Sequence, residues 1–258
     1  ETLLIGEYPA GIADGPQIEA NLQYVLSNFM SAFGTPYEVV RMQMPPGPFG
    51  TYPNFNGDYR TYTNSVIINK TILVPIYEEQ YDTTALRIWE ETMPGYKIQG
   101  IDCNQIIPLS GALHCITKEI GSRDPLLIVH QRLRDVTEDI PTGYDVEATI
   151  KHRDGIANAQ VYFTTDRSQG YQPVEMTLVN ADEDLWLANI PTQLNGDTVF
   201  YYIHATANNG KEQLRPMPAP EGYWEFEIKW TTDVNDLGAV ETKLGEIYPN
   251  PANAITVI

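Results

Sequence analysis

Residues 63 to 75 read Thr-Asn-Ser-Val-Ile-Ile-Asn-Lys-Thr-Ile-Leu-Val-Pro, and this stretch decides how the first half of the chain folds. Two short runs rich in Val and Ile, Thr63 to Ile68 and Ile72 to Pro75, are separated by Asn69-Lys70. Short β-branched runs on either side of a polar pair are typical of two strands joined by a turn. We therefore expect a hairpin here.

The residues on both sides of the hairpin extend the pattern. Downstream, a helix is predicted from Thr83 to Thr92 and a strand from Tyr96 to Ile101, which completes a ββαβ unit. Upstream, apolar residues at helical spacing predict an amphipathic helix from Gln17 to Phe33, and Val39 to Met42 is predicted as a strand. A Pro/Gly-rich loop over residues 44–57 joins the two parts.

Cys115 lies in the octet Gly-Ala-Leu-His-Cys-Ile-Thr-Lys, residues 111–118, and it is one of only two cysteines. The octet follows a segment rich in Ile, Pro, Leu and Gly, so we expect the thiol where a loop meets a strand. A thiolate is a good nucleophile near neutral pH only if its surroundings lower the thiol pKa, and His114 alone does not establish that. A free cysteine is otherwise more often a small buried apolar residue.

Five motifs follow one another from residue 57 onward. They are Gly-Asp-Tyr-Arg-Thr-Tyr-Thr-Asn-Ser-Val-Ile-Ile-Asn, Thr-Ile-Leu-Val-Pro, Met-Pro-Gly-Tyr, Gly-Ile-Asp-Cys and Leu-His-Cys-Ile-Thr. Their order and spacing resemble the C-terminal part of the agmatine deiminase and bacterial peptidylarginine deiminase family. The resemblance covers roughly residues 1 to 120, and five ordered motifs are far more specific than one short match.

The resemblance implies an α/β fold, the pentein propeller of repeated ββαβ modules around a central active site. It implies that Cys115 is the nucleophile and that Asn64, in Tyr-Thr-Asn-Ser, matches an active-site asparagine. It also implies a guanidine-type substrate, either an arginine-containing peptide or agmatine, with no cofactor and no metal. Dense metal-ligand spacing such as Cys-x-x-Cys is also missing from the sequence.

The chain also departs from the family pattern. The family has guanidinium-binding carboxylates and a His-x-Asp pair earlier in the chain, and Thr2-Leu3-Leu4-Ile5 resembles the strand that follows that pair. We therefore expect these 258 residues to be a fragment at both ends and to be inactive alone. The internal His152-Arg153-Asp154 precedes Gly155, which favours a charged hairpin tip over a catalytic pair.

The amino-acid composition argues against some classes of function. The chain has 34 acidic and 16 basic residues, a formal charge of -18, which argues against nucleic acid as a partner. It contains no run of about twenty apolar residues that would span a membrane. An acidic surface favours solubility, and it also favours cationic guanidinium substrates over anionic ones. The apolar fraction of 42% is enough for packed cores, and the length fits two domains.

The two cysteines, Cys103 and Cys115, could form a disulfide in an exported protein, and a bonded Cys115 could not attack a substrate. Cys103 ends an apolar run, where a buried thiol is expected. We expect both cysteines to be reduced.

From about residue 122 the pattern becomes all-β. Strands are short and alternating, turns recur regularly, and no useful helical period remains. Seven strands are predicted, the number that an immunoglobulin-like β-sandwich over residues 122–230 needs: Leu126 to Val129, Tyr144 to Ile150, Ala159 to Thr164, Val174 to Leu178, Leu185 to Ile190, Val199 to Thr206 and Trp224 to Ile228. The deiminase part is accordingly assigned to residues 1–121.

The last residues suggest export. Residues 231–244 have the composition of a linker, and Tyr248-Pro249-Asn250-Pro251 resembles the opening of the C-terminal sorting domain of type IX secretion, which we assign to residues 245–258. Its alternative is an ordinary Pro-rich turn. The order of parts resembles secreted peptidylarginine deiminases, so the type IX machinery is an expected partner and the cell surface or exterior an expected location.

The sequence-based hypothesis is a secreted C-N hydrolase that deiminates arginine-type groups through a covalent intermediate on Cys115. The alternative is a secreted binding or adhesion protein with a catalytically decayed propeller.

Overall fold

The computed structural model describes residues 1–53 and 57–230, and within these ranges two separate hydrophobic cores form. One core draws its buried side chains from residues 42–113 and the other from residues 126–228. The predicted combination of an α/β part and an all-β part is therefore found in this order along the chain. The linker and sorting-domain assignments, residues 231–244 and 245–258, lie outside the described ranges.

The first unit is a strand, a helix and a parallel strand. β1 (Thr2–Glu7) pairs in parallel with β2 (Glu38–Gln43), and α1 (Gly15–Asn28) connects them. α1 ends five residues before the predicted Phe33, because Phe29 adopts extended backbone angles (φ -131°, ψ 147°). Phe29, which continued the helical spacing of apolar residues in the sequence, therefore lies just after the helix and is 53% exposed.

The second unit is the predicted ββαβ unit. β3 (Val66–Ile68) is antiparallel to β4 (Thr71–Ile76), and β4 is parallel to β5 (Lys97–Asp102). α2 (Glu79–Thr92) makes the crossover. Its buried residues, Asp82, Ala85 and Trp89, lie on one face at helical spacing, which is how an amphipathic helix covers a sheet. The order of elements is confirmed, although β3 is shorter than predicted.

The all-β part contains two sheets around one core. The four-stranded sheet has the order β10-β11-β7-β6, and the other sheet has the order β13-β12-β8-β9, with β14 also pairing with β12. The strand bounds are β6 (Leu127–Val129), β7 (Tyr144–Lys151), β8 (Ile156–Thr164), β9 (Gln172–Glu175), β10 (Thr177–Asn180), β11 (Leu185–Ile190), β12 (Thr198–Ala207), β13 (Glu212–Arg215) and β14 (Trp224–Glu227).

Alternation of buried and exposed residues explains this core. On β7, every second residue from Tyr144 to Ile150 is buried, and on β12 the same holds from Val199 to Ala207. Successive side chains of a strand point to opposite faces, so each strand contributes one face to the layer between the sheets.

Two details of the strand prediction are wrong. The segment Val174 to Leu178 was predicted as one strand, but it belongs to β9 and β10, which lie in different sheets. The chain crosses from one sheet to the other at Met176, which is 4% exposed. β13 was not among the seven predicted strands, because its residues, Glu-Gln-Leu-Arg, are mostly polar.

The two parts of the chain touch through a close backbone contact. A Cβ atom at Gly95 would lie 2.2 Å from the backbone nitrogen of Gly222, and Gly95 has a positive φ of 81°. Arg132 also forms an ion pair with Glu38 of β2. Only glycine combines this backbone angle with so close an approach, so residue 95 fixes where the α/β part meets the sandwich. None of the helices within the described ranges is long and apolar enough to span a membrane.

Candidate functional site

The side chains of Asn64 and Cys115 lie in contact. Asn64 Nδ2 donates a hydrogen bond to Cys115 Sγ at 3.2 Å. Asn64 Oδ1 accepts one from the backbone nitrogen of His114 at 2.8 Å, and the backbone oxygen of Asn64 lies 3.3 Å from the same nitrogen. Fifty-one residues separate Asn64 from Cys115 in sequence, so the fold, and no local rule, brings them together.

Cys115 lies in a one-turn helix, α3 (Leu113–Ile116), and the expectation that it sits where a loop meets a strand is wrong. A 3-10 turn, Ile107–Leu109, precedes it, and Ser110 has left-handed backbone angles that reverse the chain. Ala112 and Leu113 are buried and anchor the turn to the core. Asn64 holds the His114 amide of α3, so the helical turn forms against the Asn64 segment.

The space beside the thiol requires a glycine. A Cβ atom on Gly111 would lie 3.1 Å from Cys115 Cβ and 3.3 Å from Sγ. Both distances are tighter than an ordinary van der Waals contact, so a side chain here would have to displace the thiol. Gly111, the first residue of the octet 111–118, therefore has a steric role at the sulfur atom.

The two cysteines have opposite electrostatic surroundings. The hydrogen bond from Asn64, and then one with the Ala112 backbone, hold the pKa of the exposed Cys115 thiol below its usual value. Burial raises the pKa of the Cys103 thiol, whose side chain is fully buried. Both cysteines are free, as expected. Cys115 is therefore exposed with a lowered thiol pKa, which are features of reactive thiols, whereas Cys103 is buried with a raised thiol pKa.

Buried aromatic residues hold the segment that carries Asn64. The Tyr62 hydroxyl donates to Asp82 Oδ1 at 2.8 Å, and Trp89 Nε1 donates to the backbone oxygen of Tyr62 at 3.1 Å. The backbone nitrogen of Tyr77 donates to both carboxylate oxygens of Asp82. Burial and the Asp82 hydrogen bond raise the pKa of Tyr62 far above its usual value. Asn64 is thus attached two residues from a buried anchor.

Arg60 is a second anchor of this segment, and the sequence argument did not identify it. Its side chain is 2% exposed and stacks over the Tyr77 ring at 5.1 Å. Charged residues are almost never fully buried unless they are paired. Arg60 follows Gly-Asp-Tyr and precedes Thr-Tyr-Thr-Asn, and an arginine inside an aromatic motif was the available signal.

One cluster outside this site has the residue types of a metal centre. Ligand atoms of Asp124, His152 and Asp154 lie within 4.8 Å of one another. His152 Nδ1 accepts a hydrogen bond from the Asp154 backbone nitrogen, and Nε2 lies 3.0 Å from Asp124 Oδ1. Arg153 Nε lies 2.8 Å from Asp124 Oδ1, so the arginine already places a positive charge beside this carboxylate. This cluster therefore fits a charged turn with an Arg153–Asp124 ion pair better than a metal site.

The sheet topology corrects the predicted position of His152-Arg153-Asp154. The three residues lie between β7 and β8, with Gly155 at a φ of 80°. They therefore form a turn that connects strands of different sheets, so the expected hairpin tip is wrong. The His152 side chain is fully buried.

Comparisons with known proteins bear on the same part of the chain. Residues 14–120 match the family model for Porphyromonas-type peptidyl-arginine deiminase. A "Putative agmatine deiminase" of Legionella pneumophila is 30% identical over 96 residues, which are 37% of this chain and 27% of that protein. A protein of the same name from Lactococcus lactis is 35% identical over 72 residues, 27% of this chain and 20% of its own length.

A solved structure described as a "Putative Arginine Deiminase" of Porphyromonas gingivalis has 26% identity and a TM-score of 0.38, over 44% of this chain and 33% of that one. The chain thus spans about a quarter of the length of the curated relatives named above. The family match covers both Asn64 and Cys115. Residues 14–120 therefore carry the similarity to Porphyromonas-type peptidyl-arginine deiminases, and the curated relatives named above are putative agmatine deiminases.

Proposed function

We propose that this protein deiminates guanidine groups of the arginine type, with Cys115 as the nucleophile and Asn64 as its hydrogen-bond partner. The observation that carries the proposal is the contact between Asn64 Nδ2 and Cys115 Sγ at 3.2 Å, within the segment that matches the deiminase family. A hydrogen-bond donor stabilises a thiolate more than a thiol, which increases the fraction of the nucleophilic form at neutral pH.

In the proposed reaction, the Cys115 thiolate attacks the central guanidinium carbon and forms a C–S bond. The C–N bond to one amino group breaks, and that group leaves as ammonia after taking a proton from an imidazole. The same imidazole then takes a proton from water, the hydroxide attacks the carbon, and the C–S bond breaks. The products are a ureido group and the regenerated thiolate.

The other participants come from the family resemblance, which locates a histidine and guanidinium-binding carboxylates upstream of Glu1. Carboxylates suit this task because a planar guanidinium donates two parallel hydrogen bonds to one carboxylate. Within the described residues, the side-chain hydrogen bonds of the Cys115 thiol involve only Asn64. The activity test therefore uses the product of the whole natural gene.

The experiment measures ureido product and ammonia from the protein expressed from its natural gene, with an arginine-containing peptide and with agmatine as substrates. Replacing the nucleophile, Cys115→Ser, is expected to lower the rate by at least about a thousandfold. The matched control is Cys103→Ala, which removes the buried thiol and leaves the site intact. Equal rates in the Cys115→Ser variant and the unaltered protein would disprove the proposal.

The sandwich and the C-terminal residues favour a peptide over agmatine as the substrate. The strand orders β10-β11-β7-β6 and β13-β12-β8-β9 correspond to those of an immunoglobulin-like sandwich, which supports that assignment for residues 122–230. Together with Tyr248-Pro249-Asn250-Pro251 it supports export through type IX secretion. An exported enzyme meets arginine in peptides. A higher kcat/KM for agmatine than for the peptide would contradict this choice.

The second candidate is a secreted binding protein whose propeller has lost its chemistry. It differs from the enzyme in the reactivity of Cys115. A haloacetamidine, which resembles a guanidinium, should label Cys115 of an active site faster than a free thiol does, whereas a decayed site gives no such acceleration. The lowered pKa of the Cys115 thiol favours the enzyme.

A further inference from the structure

The buried guanidinium of Arg60 joins three segments of the α/β part. Nη1 donates to the backbone oxygen of Pro46 and to Glu78 Oε1, both at 2.8 Å. Nη2 donates to Asn104 Oδ1 at 2.9 Å. Pro46 belongs to the loop after β2, Glu78 precedes α2, and Asn104 begins the segment that leads from β5 to Cys115.

The bond to Asn104 matters most for the site. Among the described residues, the hydrogen bonds between residues 57–65 and residues 103–117 are those of Arg60 with Asn104 and those of Asn64 with His114 and Cys115. The Arg60–Asn104 bond involves residues that precede Asn64 and Cys115 in the two segments, and the other bonds involve Asn64 itself with His114 and Cys115. Both segments also enter the core, through Tyr62 and Ile107.

Asn104 is itself firmly held. Its Nδ2 donates to the backbone oxygen of Tyr77 at 2.8 Å, and its backbone nitrogen donates to Asp102 Oδ1 at 2.9 Å. The Arg60 side chain stacks on the ring of the same Tyr77. The guanidinium therefore links two well-held groups, the Tyr77 ring and the Asn104 side chain. Its planar geometry fixes the directions of its donors, so it holds its partners in place more precisely than a flexible ammonium would.

We propose that Arg60 is a positioning residue, which sets the distance between Asn64 Nδ2 and Cys115 Sγ through its hydrogen bond to Asn104. This inference rests on the proposed function, because it takes Cys115 as the nucleophile. Arg60 does not touch the thiol or a substrate. Its task is to keep the Asn64 donor within reach of the sulfur, so that the thiolate is stabilised before substrate binds.

The test substitution is Arg60→Lys. Lysine keeps the positive charge and most of the buried chain, but a single ammonium cannot span Pro46, Glu78 and Asn104 together. The matched control is Arg87→Lys on α2, where the arginine is exposed and pairs with Glu91 four residues on. If Arg60→Lys fails to fold, Asn104→Ala removes the same bond from its other end.

The measurement is the rate of Cys115 alkylation by iodoacetamide as a function of pH, in the full chain, with peptide mass mapping to separate Cys115 from Cys103. Circular dichroism and the melting temperature report folding. Arg60→Lys is expected to shift the alkylation profile to higher pH and to slow alkylation at pH 7 by about two- to tenfold, the range for loss of one hydrogen bond. Arg87→Lys should leave the profile unchanged.

A double-mutant cycle combines Arg60→Lys with Asn64→Ala. Asn64→Ala removes the donor itself, so Arg60→Lys should add little to it in the double variant. A profile that moves for Asn64→Ala and stays in place for Arg60→Lys overturns the positioning role alone. A profile that moves for neither variant overturns it as well and also removes Asn64 from the site. Failure of the proposed function is seen separately, as the absence of ureido product from the natural protein.

Discussion

Tyr62→Phe tests the anchor that holds the Asn64 segment. The Tyr62 side chain is 1% exposed, and its hydroxyl donates to a buried carboxylate, Asp82, at 2.8 Å. Phenylalanine keeps the ring, so the substitution removes the hydrogen bond without opening a cavity larger than one oxygen atom. A hydrogen bond to a charged group is worth about 1.5–3 kcal/mol.

The lower part of that range applies here. Asp82 keeps the two hydrogen bonds from the Tyr77 backbone nitrogen, at 3.0 and 3.1 Å, so its charge remains partly compensated. We therefore expect the free energy of unfolding of the α/β part to fall by about 2 kcal/mol. The assay is urea-dependent hydrogen exchange read by mass spectrometry, because peptides from α2 and from β7 follow the two cores separately.

Tyr144→Phe is the matched control in the sandwich. Tyr144 is 4% exposed, and within the described residues its hydroxyl has no hydrogen-bond partner. Removing an unpaired buried hydroxyl should leave the stability unchanged or raise it. If Tyr62→Phe were as harmless as Tyr144→Phe, the Tyr62–Asp82 bond would not anchor the Asn64 segment and the reasoning would be refuted.

Two further predictions concern the thiol and the sandwich. Gly111→Ala places a Cβ 3.3 Å from Cys115 Sγ, so alkylation of Cys115 should slow by several-fold. The control is Gly121→Ala, whose Cβ would have nothing within 4 Å and should not change the alkylation rate. Equal alkylation rates in the two variants would contradict the steric account. Burial lowers the pKa of His130 to about 4 from an unfolded value of 6.5, so the folded state binds fewer protons between these pH values. The sandwich should therefore lose up to about 3 kcal/mol as the pH falls from 6.5 to 4, and urea titrations of His130→Gln should lack this part of the loss; an identical loss would contradict it.

Local sequence rules predicted the ββαβ unit because its signals are local. The Asn69-Lys70 turn, the apolar β4 and the buried face of α2 each follow from neighbouring residues. The strand boundaries near Met176 did not follow, because one run of alternating apolar and polar residues, Val174 to Leu178, can supply two strands when the chain crosses between sheets.

The candidate site was predicted in part. Motif order identified Asn64 and Cys115, but their contact depends on a fold that joins residues 51 positions apart. The one-turn helix around Cys115 follows from the Asn64–His114 bond, which no local pattern encodes. Arg60 was missed because a buried charge contradicts composition rules and becomes favourable only once Glu78 and its other partners surround it.

The central claim is that Cys115 forms a covalent intermediate with a guanidine substrate. The direct measurement is acid quenching of the natural protein during turnover of an arginine-containing peptide, followed by mass mapping of the modified cysteine. The account predicts an adduct on Cys115 equal to the substrate minus ammonia, which is lost in Cys115→Ser and kept in Cys103→Ala. Turnover with an unmodified Cys115, or with the adduct on another residue, would contradict it.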